Sequence, residues 1–363
     1  KEGTDDFGGS ANVYSGDFLS SSSDLFLNID SFSPLTTRNV TMNFHGKILP
    51  KLYYYINARN IYYQGAYEGQ RVFNPSSYGV VMNDSEGDEV FHLLGTDSYL
   101  DSVFNVQTMD SRLMDISDEQ LVSSMYSSLR NAHSNPLGDG EYVSMDWNEK
   151  NYIQLNTIWR ATDKTRLKMA IISDDVEYQE YDRMYKYNPD GNLTCKRSGL
   201  TTLMQLKRAM NENSFFTIGL TNFNKEYSHS TFDNPELYVH DIMNNTLDSY
   251  SFYVGGSNNS RFKRSTETQT LKFDYTNQFN NSNMLKLGYE IRNHNVFYQD
   301  IYLQPPTEMT NIDPIYESPY LITPQTLDDS TIYSSQYEFS PIEYSAYIQD
   351  KIELDELIMN VGI

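Results

Sequence analysis

The chain has 363 residues with 49 acidic and 27 basic side chains, a formal net charge of -22, and 39% hydrophobic residues. Its mean hydropathy is -0.59, and no apolar run approaches the roughly 18 residues of a transmembrane helix, so that kind of membrane segment is excluded. Nucleic-acid binding is disfavoured as well, because neutralising phosphates requires clustered Lys and Arg.

The first clear strand pattern lies just before a tight Leu-Pro turn at 49–50. Apolar and polar side chains alternate along it, which places the two groups on opposite faces of a strand. The apolar set is Val40, Met42 and Phe44, and the polar set is Thr41, Asn43 and His45. The polar stretch before this strand, at 19–37, is expected to be a loop.

The next strand, at 51–64, carries two clusters of tyrosine, at 53–55 and 62–63. About nine residues at roughly 3.3 Å each separate the clusters by about 30 Å, comparable with a tilted crossing of a ~25 Å apolar band. Tyrosine is enriched at both membrane interfaces, so we interpret the clusters as two interface girdles. The total of 30 Tyr and 18 Phe favours the same interpretation.

The largest connector, at 64–149, is predicted to contain one short helix. Ser117 followed by Gln120 forms a capping box, the sequence signature of a helix start. An apolar stripe follows at helical spacing. Its members are Leu121, Val122, Met125, Tyr126 and Leu129. Such a helix would pack on the loop or close a pore mouth.

Two long strands are predicted at 164–187 and 192–209, longer than a membrane crossing requires. The hairpin they form is therefore expected to project beyond the membrane. The sequence YNPDG at 187–191 joins them. Pro at the second position and Gly at the fourth position of Asn-Pro-Asp-Gly are the preferences of a type I turn.

Strands in the second half of the chain show the sharpest separation of faces. One face is apolar and is expected to contact lipid, while the other is charged at every second position, which suits a water-filled lumen. The predicted lipid-facing residues are Leu271, Phe273, Leu285, Leu287 and Tyr289. The predicted lumen-facing residues are Lys272, Asp274, Lys286, Glu290 and Arg292.

Short and long connectors alternate along the whole chain. The short ones are at 49–50, 162–163, 210–213, 280–283 and 354–356, and the long ones at 19–37, 64–149, 232–260 and 304–338. Outer-membrane barrels have short periplasmic turns and long extracellular loops. The pattern therefore predicts an all-β fold, a partial antiparallel transmembrane barrel of about eleven strands, with the long connectors outside the cell.

Residues capable of chemistry are dispersed along the sequence. Cys195 is the single cysteine, and the six histidines lack the spacing of a zinc site. The acidic run at 83–89 lacks the glycine position of an EF-hand loop. No phosphate-binding or dinucleotide-binding motif is present. We therefore predict no catalytic, cofactor or metal residues and no enzyme activity. The sequence does not identify the ligand-binding residues, and we expect binding to be spread over the long connectors, above all those at 64–149 and 232–260.

Four segments resemble the TonB-dependent outer-membrane receptors in the form found in Bacteroidota. Residues 1–18 resemble the passage from the plug domain into the first barrel strand, and 45–75, with its GxRxFNP-like loop, resembles strands two and three of that family. Lys47 stands where the family usually has Pro. Residues 181–191 and 344–354 are similar to further family phrases.

The resemblance implies a barrel of about 22 strands filled by an N-terminal plug. On this basis residues 1–8 are expected to end the plug, and 9–363 to form the first half of the barrel. Because the sequence begins with Lys1 and ends inside an apparent strand at Ile363, we expect it to be a fragment of the receptor.

The function implied by the resemblance is TonB-energised uptake of a bulky nutrient at the bacterial outer membrane. The nutrient could be a siderophore, an oligosaccharide, a cobalamin-like compound or a peptide. Implied partners are outer-membrane lipid, the TonB complex through the plug region, and a surface lipoprotein. Two alternatives stay open: a passive porin or surface adhesin barrel, and a soluble secreted carbohydrate-active β-protein with a pair of catalytic carboxylates.

Overall fold

The computed structural model describes residues 5–16, 36–75, 77, 79–83, 89–93, 137–238, 252–304, 326–354 and 356–363. The strands in these ranges are β1 (Gly8–Gly16), β2 (Thr37–Leu49), β3 (Leu52–Tyr63), β4 (Glu68–Gln70), β5 (Gly79–Asn83), β6 (Glu89–Leu93), β7 (Tyr142–Ser144), β8 (Asn148–Thr162), β9 (Thr165–Tyr178), β10 (Thr194–Ala209), β11 (Ser214–Ser230), β12 (Ser260–Gln278), β13 (Asn283–Tyr302), β14 (Ser334–Phe339), β15 (Ile342–Leu354) and β16 (Leu357–Gly362). Short 3-10 turns occupy Arg183–Tyr185, Pro189–Gly191 and Pro235–Leu237.

One antiparallel sheet of 12 strands dominates the structure, in the order β1-β2-β3-β8-β9-β10-β11-β12-β13-β15-β16. β14 pairs with residues 296–301 of β13, while β15 pairs with residues 283–293 of the same strand. β14 and β15 therefore form one strand interrupted at Ser340 and Pro341, where the Pro341 carbonyl accepts a hydrogen bond from the His294 amide at 3.0 Å. The sheet is not closed, and the predicted partial barrel of about eleven strands is confirmed.

Short turns lie at one end of the sheet, the turn end, and long connectors at the other, the loop end. A two-residue turn joins β2 to β3 through Pro50 and Lys51, and Lys51 adopts a positive φ of 69°. Residues 163–164 form a second two-residue turn, and residues 210–213 form a turn of four residues. The sorting of connectors by length that the sequence predicted is confirmed.

The strand predicted at 164–187 is shorter than expected, because β9 ends at Tyr178. Beyond it the chain folds on itself: the Asp182 side chain accepts a hydrogen bond from the Met184 amide at 2.9 Å and caps a 3-10 turn. The Gly191 amide donates to the Asn188 carbonyl at 3.0 Å, the hydrogen bond expected for the predicted turn. This local hydrogen bonding replaces the ladder at the hairpin tip.

The helix predicted from Ser117 to Leu129 lies outside the described residues. The described part of the chain contains no α-helix. In the same ranges, no helix is long and apolar enough to cross a membrane.

The two faces of the sheet separate as predicted. On one, the apolar face, a hydrogen-bonded row runs Met169, Met204, Leu220, Leu271, Ile291 and Tyr344. On the other, the charged face, Lys272 pairs across the ladder with Glu290 and Arg292 with Glu343. No described residue covers this apolar row fully, since the side chains of Met169, Met204, Leu220 and Leu271 are 46%, 42%, 49% and 42% exposed.

On β11 and β12, polar residues bound the apolar band at both ends. Toward the turn end the apolar face carries Ser214 and Asn277, and toward the loop end it carries Thr202, Asn222, Gln269 and Asn293. Ser214 and Asn222 are eight residues apart on β11, or about 27 Å along the strand and about 21 Å along the normal of a membrane crossed at ~40°. This matches the ~25 Å apolar band of membrane barrels.

The tyrosine clusters of β3 do not form two complete girdles, so that interpretation is wrong in part. Alternation places Tyr54 and Tyr62 on the apolar face and Tyr53, Tyr55 and Tyr63 on the charged face. Tyr55 is buried, and its hydroxyl donates to the Asn43 side chain at 2.9 Å. Consecutive residues of a strand cannot share a face, so at most every second tyrosine reaches a membrane interface.

Candidate functional site

The charged face carries a network of ions at the level of the apolar band. The Lys272 ammonium lies 3.8 Å from Asp274 and 3.9 Å from Glu290. The Arg292 guanidinium contacts Glu290 and lies 3.5 Å from Glu343. These side chains come from β12, β13 and β15, so the network spans three strands. Charges at this depth require water on their side of the sheet, because unsolvated ions are costly.

One aromatic ring closes this network from the side of β15. The Tyr347 hydroxyl donates to Asp274 at 2.9 Å, and its ring covers Gly288, where a Cβ would come within 2.2 Å of the ring. Gly288 thus allows the ring to lie flat across β13. Polar contacts cross three strands here and hold the charged face in one arrangement.

The most completely buried residues of the described structure lie in the connectors at the loop end. We call this assembly, made of residues 65–75, 77, 137–147, 180–193 and 252–259, the loop cap. Within it Met145, Asn188 and Ser257 are fully buried. Strands of the main sheet, by contrast, have few buried side chains. The cap therefore has its own packed interior rather than resting on a core beneath the sheet.

Arg71 is the ionic centre of the loop cap. Its guanidinium lies 2.9 Å from Asp190, 3.6 Å from Asp139 and 3.9 Å from Glu141. Partial burial alone would lower the pKa of Arg71, but the hydrogen bond and charge of Asp190, with the charges of Asp139 and Glu141, raise it above its ordinary value. Arg71 belongs to the GxRxFNP-like segment, and its ion pairs join three segments of the cap that come from two connectors.

Backbone hydrogen bonds tie the connectors of the cap to each other. The Gln70 amide donates to the Lys186 carbonyl at 2.8 Å, and the Gly256 amide donates to the Pro75 carbonyl at 2.7 Å. The buried Asn188 side chain donates to the Gly256 carbonyl at 2.9 Å. At Gly255 a Cβ would lie 1.6 Å from the Ser77 carbonyl oxygen, so this approach requires glycine.

Aromatic rings cover the cap at several points. Tyr67 stacks on Tyr181 with ring centroids 4.6 Å apart, and Tyr187 meets Phe252 edge-on at 4.9 Å. Burial, more than the nearby charges, raises the pKa of Tyr181 above its ordinary value, so this phenol is neutral at physiological pH. Rings with polar tips give the cap a surface that suits ligands containing rings.

A second aromatic cluster lies on the charged face near the loop end. Phe262 contacts Tyr227 at 5.7 Å and Tyr298 at 5.4 Å between ring centroids, and Tyr298 stacks on Tyr337 at 4.9 Å with planes 6° apart. Phe339 continues the series at 5.6 Å from Tyr337. These rings come from four strands, β11 to β14, and form a continuous ladder.

Sequence reasoning expected binding in the connectors at 64–149 and 232–260, and missed this ladder. The described parts of both connectors contribute to the loop cap or adjoin it. Every second residue of β11 and β12 near the loop end is polar or aromatic, which was a visible signal. What the sequence lacks is the register that brings Tyr227 beside Arg264 and Tyr298 beside Tyr337.

The described ranges contain no group of three or more His, Cys, Asp or Glu side chains placed to hold a metal ion. Cys195 is buried, and the Tyr227 hydroxyl donates to its sulfur at 3.7 Å. The charged and aromatic side chains of the described site are groups that recognise a ligand through ion pairs and ring contacts.

No protein-family model matches the sequence, and no significant match was found among curated proteins. Solved structures do match. The outer membrane transporter YddB from Escherichia coli aligns over 98% of this chain and 38% of its own, with a TM-score of 0.50 and 6% identity. The Ferric-Catecholate import receptor Fiu from E. coli K12 aligns at 11% identity in two forms: the open form over 97% of this chain and 49% of its own with a TM-score of 0.40, and the closed form over 96% and 45% with a TM-score of 0.45.

The likeness to YddB establishes a shared β-barrel fold. This chain covers 38% of the YddB chain. The structure therefore corresponds to part of a barrel wall with its loops, in agreement with the open sheet.

Proposed function

We propose that this chain is part of the barrel of a TonB-dependent outer-membrane receptor that takes up a bulky nutrient. The observation that carries the proposal is the two-faced sheet. An exposed apolar band of about the height of a bilayer's apolar layer is bounded by polar rows, and ions line the opposite face. An apolar surface of this size needs lipid or protein to cover it, while the ions need water.

The loop cap favours a receptor over a passive pore. A passive porin needs only an open channel, whereas this chain holds buried, hydrogen-bonded connectors and clustered rings at one end of the sheet. Preorganised groups of this kind raise affinity because less ordering is required on binding. The nutrient classes consistent with such a surface are a siderophore, an oligosaccharide, a cobalamin-like compound or a peptide.

The domain organisation and partners belong to the same proposal. Residues 1–8 end the plug and 9–363 form the first half of the barrel, in the form of the receptor found in Bacteroidota. The outer membrane is its location, with lipid against the apolar face and the TonB complex acting through the plug region. The proposal places a surface lipoprotein partner at the loop end.

Uptake by the complete receptor tests the proposal. The substrates are a labelled ferric catecholate, cobalamin, an oligosaccharide and a peptide, supplied to cells with and without the TonB complex. We expect one of these substrates to enter only when the complex is present. Equal uptake in both strains would identify a passive porin, and no uptake of any substrate with retained cell attachment would identify an adhesin.

Deletion of residues 64–149 in the same receptor addresses recognition. We expect reduced affinity and uptake, because this connector contributes Arg71 and Met145 to the loop cap. Unchanged affinity would move recognition to the plug or to the rest of the barrel. The proposal includes no bond-making step, so measurable turnover of a substrate, or recovery of the receptor in the soluble fraction, would favour the carbohydrate-active alternative.

A further inference from the structure

One hydrogen-bonded row crosses the charged face near the loop end, and cations and rings follow one another along it. Successive cross-strand neighbours are Lys150, Val176, Arg197, Tyr227, Arg264, Tyr298 and Tyr337. We call this set the basic-aromatic row. Neighbouring strands are about 4.8 Å apart, so its three cations recur at intervals of about 10 Å.

Cations on the two faces differ in their partners. Near the loop end, three cations of the apolar face each have a carboxylate within ion-pair distance. These pairs are Arg38 with Glu149 at 3.8 Å, Lys196 with Glu177 at 3.6 Å and Lys263 with Glu226 at 3.1 Å. In the part of the chain that the structure describes, Lys150, Arg197 and Arg264 have no such carboxylate, although all three are exposed.

On the described part of the charged face that flanks the row, two acidic residues occur, Asp174 and Asp300, and neither forms an ion pair with its cations. The Asp174 carboxylate folds over Gly199, where a Cβ would lie 2.3 Å from it. Asp300 accepts a hydrogen bond from the Tyr298 hydroxyl at 3.4 Å. Lys225, on the same face, adds a further cation without an ion pair among the described residues. A protein of net charge -22 thus presents a locally positive wall here.

The rings at the β14 end of the row are exposed and available to a ligand. Tyr337 is 42% exposed, and Phe339, which extends the aromatic ladder, is 65% exposed. The Arg264 guanidinium lies over the Tyr227 ring, 5.4 Å from its centroid, which fixes one cation beside one ring. Contiguous exposed apolar patches on a protein surface often mark a binding site.

We propose that the basic-aromatic row binds a ligand that carries two or more negative charges and at least one ring. This deepens the proposed function and rests on it, since the charged face is taken to line the lumen. Charges about 10 Å apart would each meet one cation, and a ring beside the charge at Arg264 would stack on the exposed Tyr337 end of the ladder. A neutral ligand would leave the cations without counter-charges.

Binding to the complete, detergent-purified receptor tests this inference. The probes are an iron(III) tris-catecholate complex, a sulfated oligosaccharide and a neutral oligosaccharide of equal length. The variants are Arg197→Gln and Arg264→Gln. Lys196→Gln and Lys263→Gln are the matched controls, because each removes the adjacent cation on the apolar face.

We expect one anionic probe to bind more tightly than the neutral one, and more weakly as salt is raised. Each charged-face variant should weaken that binding by about tenfold or more, whereas each control should change it less than about twofold. The identity of the bound anion distinguishes a catecholate-like ligand from an acidic glycan.

Preferred binding of the neutral probe, equal effects of the two pairs of variants, or binding of neither anion would overturn the inference. Those outcomes leave energised uptake intact if transport still depends on the TonB complex. Tight anion binding with no energised uptake would instead refute the proposed function and preserve the site.

Discussion

At the scale of single residues, Arg71 is expected to hold the loop cap together. Arg71→Gln removes a guanidinium that contacts three carboxylates on two other segments of the chain. We expect amide hydrogen exchange to rise about tenfold at 137–141, corresponding to about 1.4 kcal/mol of lost local stability. The amides of Gly138 and Gly140, which donate to the carbonyls of Val72 and Arg71, report the change.

Lys51→Gln is the control for this measurement. Lys51 forms an ion pair with Asp163 at 3.1 Å, both side chains are exposed, and the pair lies at the turn end of the sheet. Exposed pairs contribute little to stability, so exchange in the cap should not change. Unaltered exchange in Arg71→Gln as well would mean that backbone hydrogen bonds alone hold the cap.

Residue-level expectations from sequence succeeded where polarity alternates within one strand. Lys272 and Leu271 could be assigned to opposite faces because side-chain direction has a period of two. The same rule, applied strictly, corrects the interpretation of Tyr53 to Tyr55. Contacts such as Arg264 over Tyr227 depend on register between strands, which a long connector does not specify.

At the scale of elements, the two faces of β12 should respond differently to an added charge. Leu271→Arg places a charge on the apolar face and should cost about 2–4 kcal/mol of barrel stability if that position lies near the bilayer midplane. Thr270→Arg, one residue away on the charged face, should cost far less. Unfolding in urea from lipid vesicles measures both, and equal losses would indicate that neither face contacts lipid.

Strands and turns were largely predictable from the sequence, and their ends were not. The turns at 49–50 and 210–213 follow from turn residues between alternating segments. β9 ends at Tyr178 because Asp182 and Asn188 form short-range hydrogen bonds that start local turns. These turns compete with continued strand pairing. The break at Pro341 is signalled by the proline itself, which cannot donate to a ladder.

At the scale of the whole molecule, the topology proposal places the long connectors outside the cell. In the complete receptor carrying Cys195→Ser, single cysteines replace Asp88 and Asn281. We expect an impermeant thiol reagent added to whole cells to label position 88 and to spare position 281, because the two lie in a long connector and a short turn. Labelling of position 281 alone would reverse the orientation.

The central claim is that this sheet is a wall between lipid and water, and spin-label accessibility along β12 tests it most directly. Nitroxides are attached in turn at positions 270 to 275 of the complete receptor, in lipid bilayers and in the Cys195→Ser background. We predict a period of two, with oxygen, which dissolves in lipid, reaching the labels at Leu271 and Phe273. A water-soluble nickel chelate should reach those at Lys272 and Asp274. Uniform access of the chelate to all six positions, or exclusion of both reagents from one face, would contradict the account.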